Sequence, residues 1–213
     1  MITFTLTAGL FGGLLMFLGD MLMYYTPKDF SYTAKSSAEE KMQSITDVMR
    51  DLPIKRLTAA GVIGPVAAFF YCIGFYHIVL ITNETMHAVA FIAFLFLCLG
   101  IICGGAYHSH CSYLGLLGQN KFDEARYTTI AYFSKIAFVL YIGEAVGFVL
   151  LLFLVITKNT LLPQWMIILN PGVLFLLKPF MNRLPKGMRV IVAGGWGNLI
   201  FVIYYIGLFI FIP

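Results

Sequence analysis

The sequence predicts an all-α fold: a polytopic membrane helix bundle of six transmembrane helices, with a short amphipathic helix in the first cytoplasmic loop. Three observations carry this reading. Of 213 residues, 60% are hydrophobic and 11% are charged, whereas a soluble domain carries about 25% charged residues. So few charges could not cover a water-facing surface. The apolar residues also fall in long runs, and a spanning helix needs about 20 of them in succession. Finally, the basic residues alternate from one connection to the next, as a multi-pass chain requires.

The first span is expected over residues 2–25, an apolar run broken only by Asp20. It has no basic leading region and no Ala-x-Ala-like site, so it reads as a span and not as a cleaved signal. Residues 26–56 form the longest polar stretch. Within it Ser37-Ala38-Glu39-Glu40 fits a capping box. Met42, Ile45, Val48 and Met49 then recur at helical spacing. This predicts an amphipathic helix that lies on the membrane surface or packs over the loop.

The second span is expected over 57–81, with Gly64-Pro65 marking a kink, and the third over 87–117. A polar connection leads to the fourth, over 130–156. The fifth, over 165–180, is short and interrupted by the turn signal Asn170-Pro171-Gly172. The sixth is expected over 190–212. Residues 1–213 form a single transmembrane domain without an internal repeat.

Every one of the 14 Lys and Arg residues except Lys158 falls in the first, third or fifth connection or in the turns beside them. Because Lys and Arg accumulate on the cytoplasmic side, those connections are expected inside and both termini outside, in a bacterial inner membrane. A wrong span count would have scrambled the alternation.

Composition also excludes several functions. The net charge of +4 is scattered over loops, which gives no nucleic-acid surface. The four cysteines lie inside apolar segments at spacings that match neither a zinc motif nor a disulfide framework; they are expected to be buried small hydrophobes. His108 and His110 point about 200° apart around one helix, so the pair could not jointly chelate one metal in regular helical geometry; Tyr107-His108-Ser109-His110-Cys111 reads as a metal site only as an extended strand, and a hydrogen-bonded histidine is the expectation. No cofactor or metal is expected. No phosphate-binding loop, serine elbow or His-Glu-x-x-His helix is present.

Polar groups inside apolar spans are costly, at about 2.5–3.5 kcal/mol for a carboxylate at mid-membrane. They therefore face the bundle interior. On that logic Glu144, Asp20 and His108 are the candidate acid–base residues. Glu144 sits between Gly143 and Gly147, a small-xxx-small pattern that admits a neighbouring helix. His108 shares a narrow face with Gly100, Gly104, Cys111, Ser112 and Gly115. Counting depth places Asp20, His108 and Asn198 in the cytoplasmic half, and Glu144 and Asn170 nearer the middle. Asn170, Asn198, Tyr141, Tyr205 and Ser112 are the expected ligand-binding residues. His77 and His87 flank an outer turn and are expected at the interface.

Gly19-Asp20, Arg56-Leu57, Gly61, Gly64-Pro65 and Gly74-Phe75-Tyr76-His77 together resemble small bacterial membrane proteins of unknown function. The resemblance covers the first half of the chain. It implies a six-helix fold and transfers no activity. Ceramidase-type hydrolases place two histidines four apart on their last helix, and this last span has none. Sterol-isomerase-like proteins share intramembrane acids and histidines, but none of their local motifs occurs here.

These features lead to a small membrane protein with an intrabundle polar cavity toward the cytoplasmic leaflet. It would bind or act on a lipid-like or isoprenoid ligand, by acid–base chemistry if it is an enzyme. A proton-coupled small-molecule carrier is the second reading. A regulatory or structural partner, docking another protein at the 26–56 loop or a second copy of itself, is the third.

Overall fold

A computed structural model describes residues 1–26, 28, 36–120 and 123–212. Lys35 and Lys121 lie outside the described residues, as do the side chains of Met42, Ile45 and Lys186. The described residues fold as α1 Ile2–Tyr24, α2 Ala38–Met49, α3 Ile54–Phe75, α4 His77–Ile81, α5 His87–Gln119 and α6 Asp123–Ile156. Then follow α7 Pro171–Phe175, α8 Lys178–Met181, α9 Lys186–Val192 and α10 Trp196–Phe211. Single 3-10 segments occupy Glu84–Met86 and Gln164–Leu169.

Four segments are long and apolar enough to cross a membrane: Ile2–Tyr24, Ile54–Ile81, Glu84–Gln119 and Glu124–Ile156. The shortest has 23 residues, about 34 Å of helix against a hydrocarbon layer of about 30 Å. Their outer faces are apolar: Phe4, Val62, Phe69, Phe138 and Val149 are 61% to 66% exposed.

Small residues set the packing. α1 lies between α10 and α3, and α5 lies between α3 and α6, each neighbour antiparallel to the next. A Cβ added at Gly74 would sit 2.4 Å from Gly9 Cα, so α1 and α3 approach backbone to backbone. On α6, a Cβ at Gly143 would sit 2.8 Å from Gly100 N of α5. This is the close approach that the small-xxx-small pattern predicts.

α3 runs through Pro65 without ending. A proline cannot bond to the carbonyl four residues earlier, which here belongs to Gly61. Ser109 of α5 donates its hydroxyl to that carbonyl at 2.8 Å, so the freed group is satisfied from the neighbouring helix.

The loop helix forms with its capping box intact. Ser37 Oγ accepts from Glu40 N and Glu40 Oε2 accepts from Ser37 N. α2 packs on the chain itself, against the ends of α5 and α6. Arg126 of α6 donates to Asp47 at 3.0 Å, and Gln119 Nε2 bonds the Leu52 carbonyl. At the other end of the bundle, the turns after α4 and α6 join: Asn83 N bonds Asn159 O and Leu161 N bonds Ile81 O, both at 2.9 Å.

The segment expected as a fifth span is not one helix. Its 3-10 turn and α7 lie beside α10, and α8 follows as a further short piece. Met166 and Leu169 lie against Gly207, and Trp196 Nε1 donates to Leu174 O at 3.1 Å. The break has a local cause. Asn170 caps a new helix, its Oδ1 accepting from Gly172 N at 2.9 Å with Pro171 in the first turn, the arrangement both residue types favour. The sixth segment is also divided: its expected start, Val190, lies inside α9, and Gly194-Gly195 separate α9 from the 16-residue α10.

Candidate functional site

Four helices bring polar side chains together in the half of the bundle that carries the basic connections. Asp20 of α1 accepts from His108 of α5, whose Nε2 lies 3.0 Å from Oδ1. Its second oxygen accepts from Asn198 of α10, with Nδ2 to Oδ2 at 2.8 Å. The Tyr71 hydroxyl of α3 donates to Asn198 Oδ1 at 3.4 Å. Asp20 and His108 are each 5% exposed and Tyr71 is fully buried. The result is one hydrogen-bonded chain, Tyr71–Asn198–Asp20–His108.

Local sequence explains the convergence. Gly19 precedes Asp20, and a Cβ there would come within 3.0 Å of His108 Cε1. Gly64 faces the same imidazole, with a built Cβ 2.5 Å from His108 Cβ. The two glycines open the slot in which the ring sits. The break at Gly194-Gly195 starts α10 two residues before Asn198, which places its amide at the level of Asp20. Asp20 thereby holds the ring through Nε2. His108 Nδ1 is buried and has no hydrogen-bond partner among the described residues.

Other polar groups extend the cluster. Ser112, one turn beyond His108, donates to Met23 Sδ at 3.6 Å. Cys111 is fully buried in an apolar cluster against which Tyr24 and Tyr107 pack. Lys178 of α8 is half-buried and lies within electrostatic reach of Asp20. Arg56 closes the end of α1, donating to the carbonyls of Leu22, Met21 and Tyr25 at 2.5, 2.8 and 2.6 Å. A guanidinium there satisfies the orphan last-turn carbonyls and opposes the helix dipole.

The remaining candidates lie elsewhere. Glu144 packs against Gly100 of α5, eight residues before His108 and therefore about 12 Å away along that helix. No hydrogen bond or ion pair joins Glu144 to another side chain among the described residues. Tyr141 is 49% exposed, with its ring 6.2 Å from Phe175. Asn170 is buried at the helix break and donates to Phe148 O at 3.4 Å.

Tyr205 is fully buried between Gly9 and Gly74, its hydroxyl without a partner among the described residues. Beside it, His77 is fully buried, with Nε2 2.9 Å from the Tyr204 hydroxyl and Nδ1 2.6 Å from Gly74 O. His77 is thus enclosed by the bundle. The chain turns at Tyr76 and continues into α4, which swings His77 inward. His87 stays at the turn, bonded to Thr82 O at 2.9 Å.

Tyr71 and Lys178 were not among the candidate site residues, and Arg56 entered only through the resemblance. Tyr71 carries a signal in its residue type, since a phenol in an apolar run must find a partner when buried. No group of three or more metal-ligating His, Cys, Asp or Glu side chains occurs among the described residues.

Residues 2–213 match a family model described as a family of unknown function (DUF6796). No curated protein and no solved structure matches the chain.

Proposed function

We propose a function for a chain that belongs to DUF6796, a family of unknown function: it is an integral membrane protein that binds a lipid-like or isoprenoid ligand and exchanges a proton with it at Asp20–His108. The bundle crosses the membrane six times, the fifth crossing in broken pieces, with its basic end in the cytoplasm. The ligand's polar head lies at the network in the cytoplasmic half, and Lys178 favours an anionic head.

One observation carries this reading. Asp20 engages His108 Nε2, and Nδ1 is left buried without a partner. A carboxylate on one ring nitrogen fixes the tautomer and leaves the other nitrogen as the base. Asn198 and Tyr71 orient the carboxylate in turn. Of the three acid–base candidates, Asp20 and His108 therefore work as a pair. Glu144 lies too far along α5 to share their ligand atom.

Native mass spectrometry with lipidomics on protein in mild detergent tests the reading. A single lipid class retained by the wild type and lost in both His108→Ala and Asp20→Asn, with melting curves showing folded variants, supports it. Bulk lipid alone, or equal retention in the variants, refutes it.

A proton-coupled carrier is the second reading, favoured by Glu144. Its carboxyl has no bonded partner among the described residues, and the broken segment runs past the same stretch of α6 at Phe148. Intramembrane carboxyls of this kind serve proton relays. Proton-gradient-driven solute flux in liposomes, abolished by Glu144→Gln, would favour the carrier.

A further inference from the structure

We propose that the basic turn joining α8 to α9 is a docking site for an anionic phospholipid, whose phosphate is drawn to the charges of Arg183, Lys186 and Arg189. The inference rests on the membrane placement proposed above and not on the ligand at Asp20–His108.

Charge balance singles out this turn. Three connections lie at the basic end of the bundle, and they differ in what accompanies their cations. The first holds six Lys or Arg residues, but also Asp29, Glu39, Glu40, Asp47 and Asp51. The second, over 119–135, holds three together with Asp123 and Glu124. The last holds Lys178, Arg183, Lys186 and Arg189, and no Asp or Glu occurs anywhere after Glu144.

Folding keeps the difference. Lys28 pairs with Asp51, and Asp47 takes both Arg50 and Arg126, at 4.0 and 3.0 Å. In the last connection the cations lie against rings instead. The Arg183 guanidinium is 5.8 Å over the Phe180 ring, and Lys178 Nζ is 5.6 Å over the Phe175 ring. A ring face attracts a cation without cancelling its charge, so that charge stays available to a phosphate. A guanidinium suits one, because its forked N–H groups match two phosphate oxygens.

Position and exposure supply the lipid. The chain leaves α9 beside the last turn of α1, where a Cβ on Gly194 would lie 3.5 Å from Tyr24 Cβ. The turn therefore sits at the end of the spans, at headgroup depth. Leu176, Phe180 and Met188 are 71%, 59% and 56% exposed and alternate along the chain with the cations. α8 has four residues and α9 seven, too short to cross a membrane. Exposed apolar side chains among cations on such an element favour the interface, with the apolar groups in acyl chains and the cations at the headgroups. An anionic phospholipid meets both demands at once. An acidic soluble partner would meet the cations alone.

The chain is placed in nanodiscs of phosphatidylcholine, alone or mixed with phosphatidylglycerol, and amide exchange is read by mass spectrometry. Phosphatidylglycerol should slow exchange over 176–193 and leave 38–49 unchanged. Native mass spectrometry of delipidated protein then compares the two lipids as ligands. Each Lys or Arg near the surface is worth about five-fold in affinity for an anionic lipid. Arg183→Gln should therefore lower the phosphatidylglycerol preference about five-fold, and Arg183→Gln with Lys186→Gln and Arg189→Gln about 100-fold. Lys28→Gln with Lys41→Gln and Lys55→Gln removes the same charge from the first connection and should keep the preference. His108→Ala should also keep it, so loss of the network's ligand and loss of this lipid are read separately. Equal exchange over 176–193 in the two nanodiscs overturns the site, whatever the variants do. So does an equal loss of preference in the two triple variants, which would make net charge the cause. An acidic protein that co-purifies with the wild type, lost on Arg183→Gln without any phosphatidylglycerol preference, overturns the lipid assignment.

Discussion

Removing the Asp20 carboxylate separates a charge-assisted network from ordinary helix packing. In Asp20→Ala, His108 Nε2 and Asn198 Nδ2 lose the acceptors they hold at 3.0 and 2.8 Å. Each stranded buried donor costs about 1–3 kcal/mol, and two are stranded. We therefore expect about 2–6 kcal/mol. A typical interhelical hydrogen bond in a membrane protein is worth only about 0.6 kcal/mol, so the difference is measurable. Asp20→Asn should cost less, about 1–3 kcal/mol, because it loses the charge assistance and strands one donor. The new amide oxygen accepts from His108 and its NH2 donates to Asn198 Oδ1. Asn198 turns its amide over and donates to the Tyr71 oxygen, so only the Tyr71 O–H is left without its acceptor. Equilibrium unfolding in mixed micelles, followed by circular dichroism, reads both variants. A double-mutant cycle with His108→Ala should show at least about 1 kcal/mol of coupling. If Asp20→Ala stays within about 0.5 kcal/mol of the wild type, or the two substitutions add, the network is not what joins these helices.

Gly64→Ala pushes a methyl into His108 Cβ and the Gly105 carbonyl, at 2.5 and 2.9 Å. It should destabilise by about 1–3 kcal/mol as overpacking does, whereas Gly197→Ala, with nothing within 4 Å, should be neutral or stabilise by up to about 1 kcal/mol; the same unfolding assay compares them. Arg56→Ala frees three carbonyls at the end of α1 and should speed amide exchange in that last turn, with Arg56→Lys only partly restoring protection; hydrogen exchange with mass spectrometry reads this. Single cysteines placed at Lys55 and Lys158 in a cysteine-free background should label from opposite faces of sealed cells, position 158 from outside. Labelling of both from one face would remove the proposed topology.

Much of this arrangement was legible because membrane placement restricts polar atoms so tightly. Asp20, His108 and Asn198 each interrupt an apolar run, so each had to face inward, and a rise of about 1.5 Å per residue put them at one depth. Their meeting in the structure follows from those two constraints together with the glycines at 19 and 64. The same depth count separates Glu144 from them, though it could not say which neighbour Glu144 would face. Residues 165–180 are apolar enough to read as a span, and the turn signal at 170–172 marked its interruption, where Asn170 satisfies the amide of Gly172 and starts a new helix; the further division into short pieces has no mark in hydropathy. Tyr71 was passed over because a tyrosine contributes to an apolar run while its hydroxyl makes a separate demand, met here by Asn198 from another helix. His77 was expected beside a turn, but the inward direction of its ring depends on the turn at Tyr76, which no periodicity records.

The two acidic groups differ in what their removal would loosen. Asp20 joins α1, α5 and α10 directly and α3 through Asn198, so its loss should be felt across most of the bundle. Glu144 packs on the α5–α6 seam at Gly100 without a bonded partner, so Glu144→Gln should change stability little. A loss of activity in that variant without a loss of stability would therefore point to the carboxyl itself. A loss of activity in an Asp20 variant would need Asp20→Asn, in which the hydrogen bonds to His108 and Asn198 survive and the charge does not, before it could be attributed to chemistry.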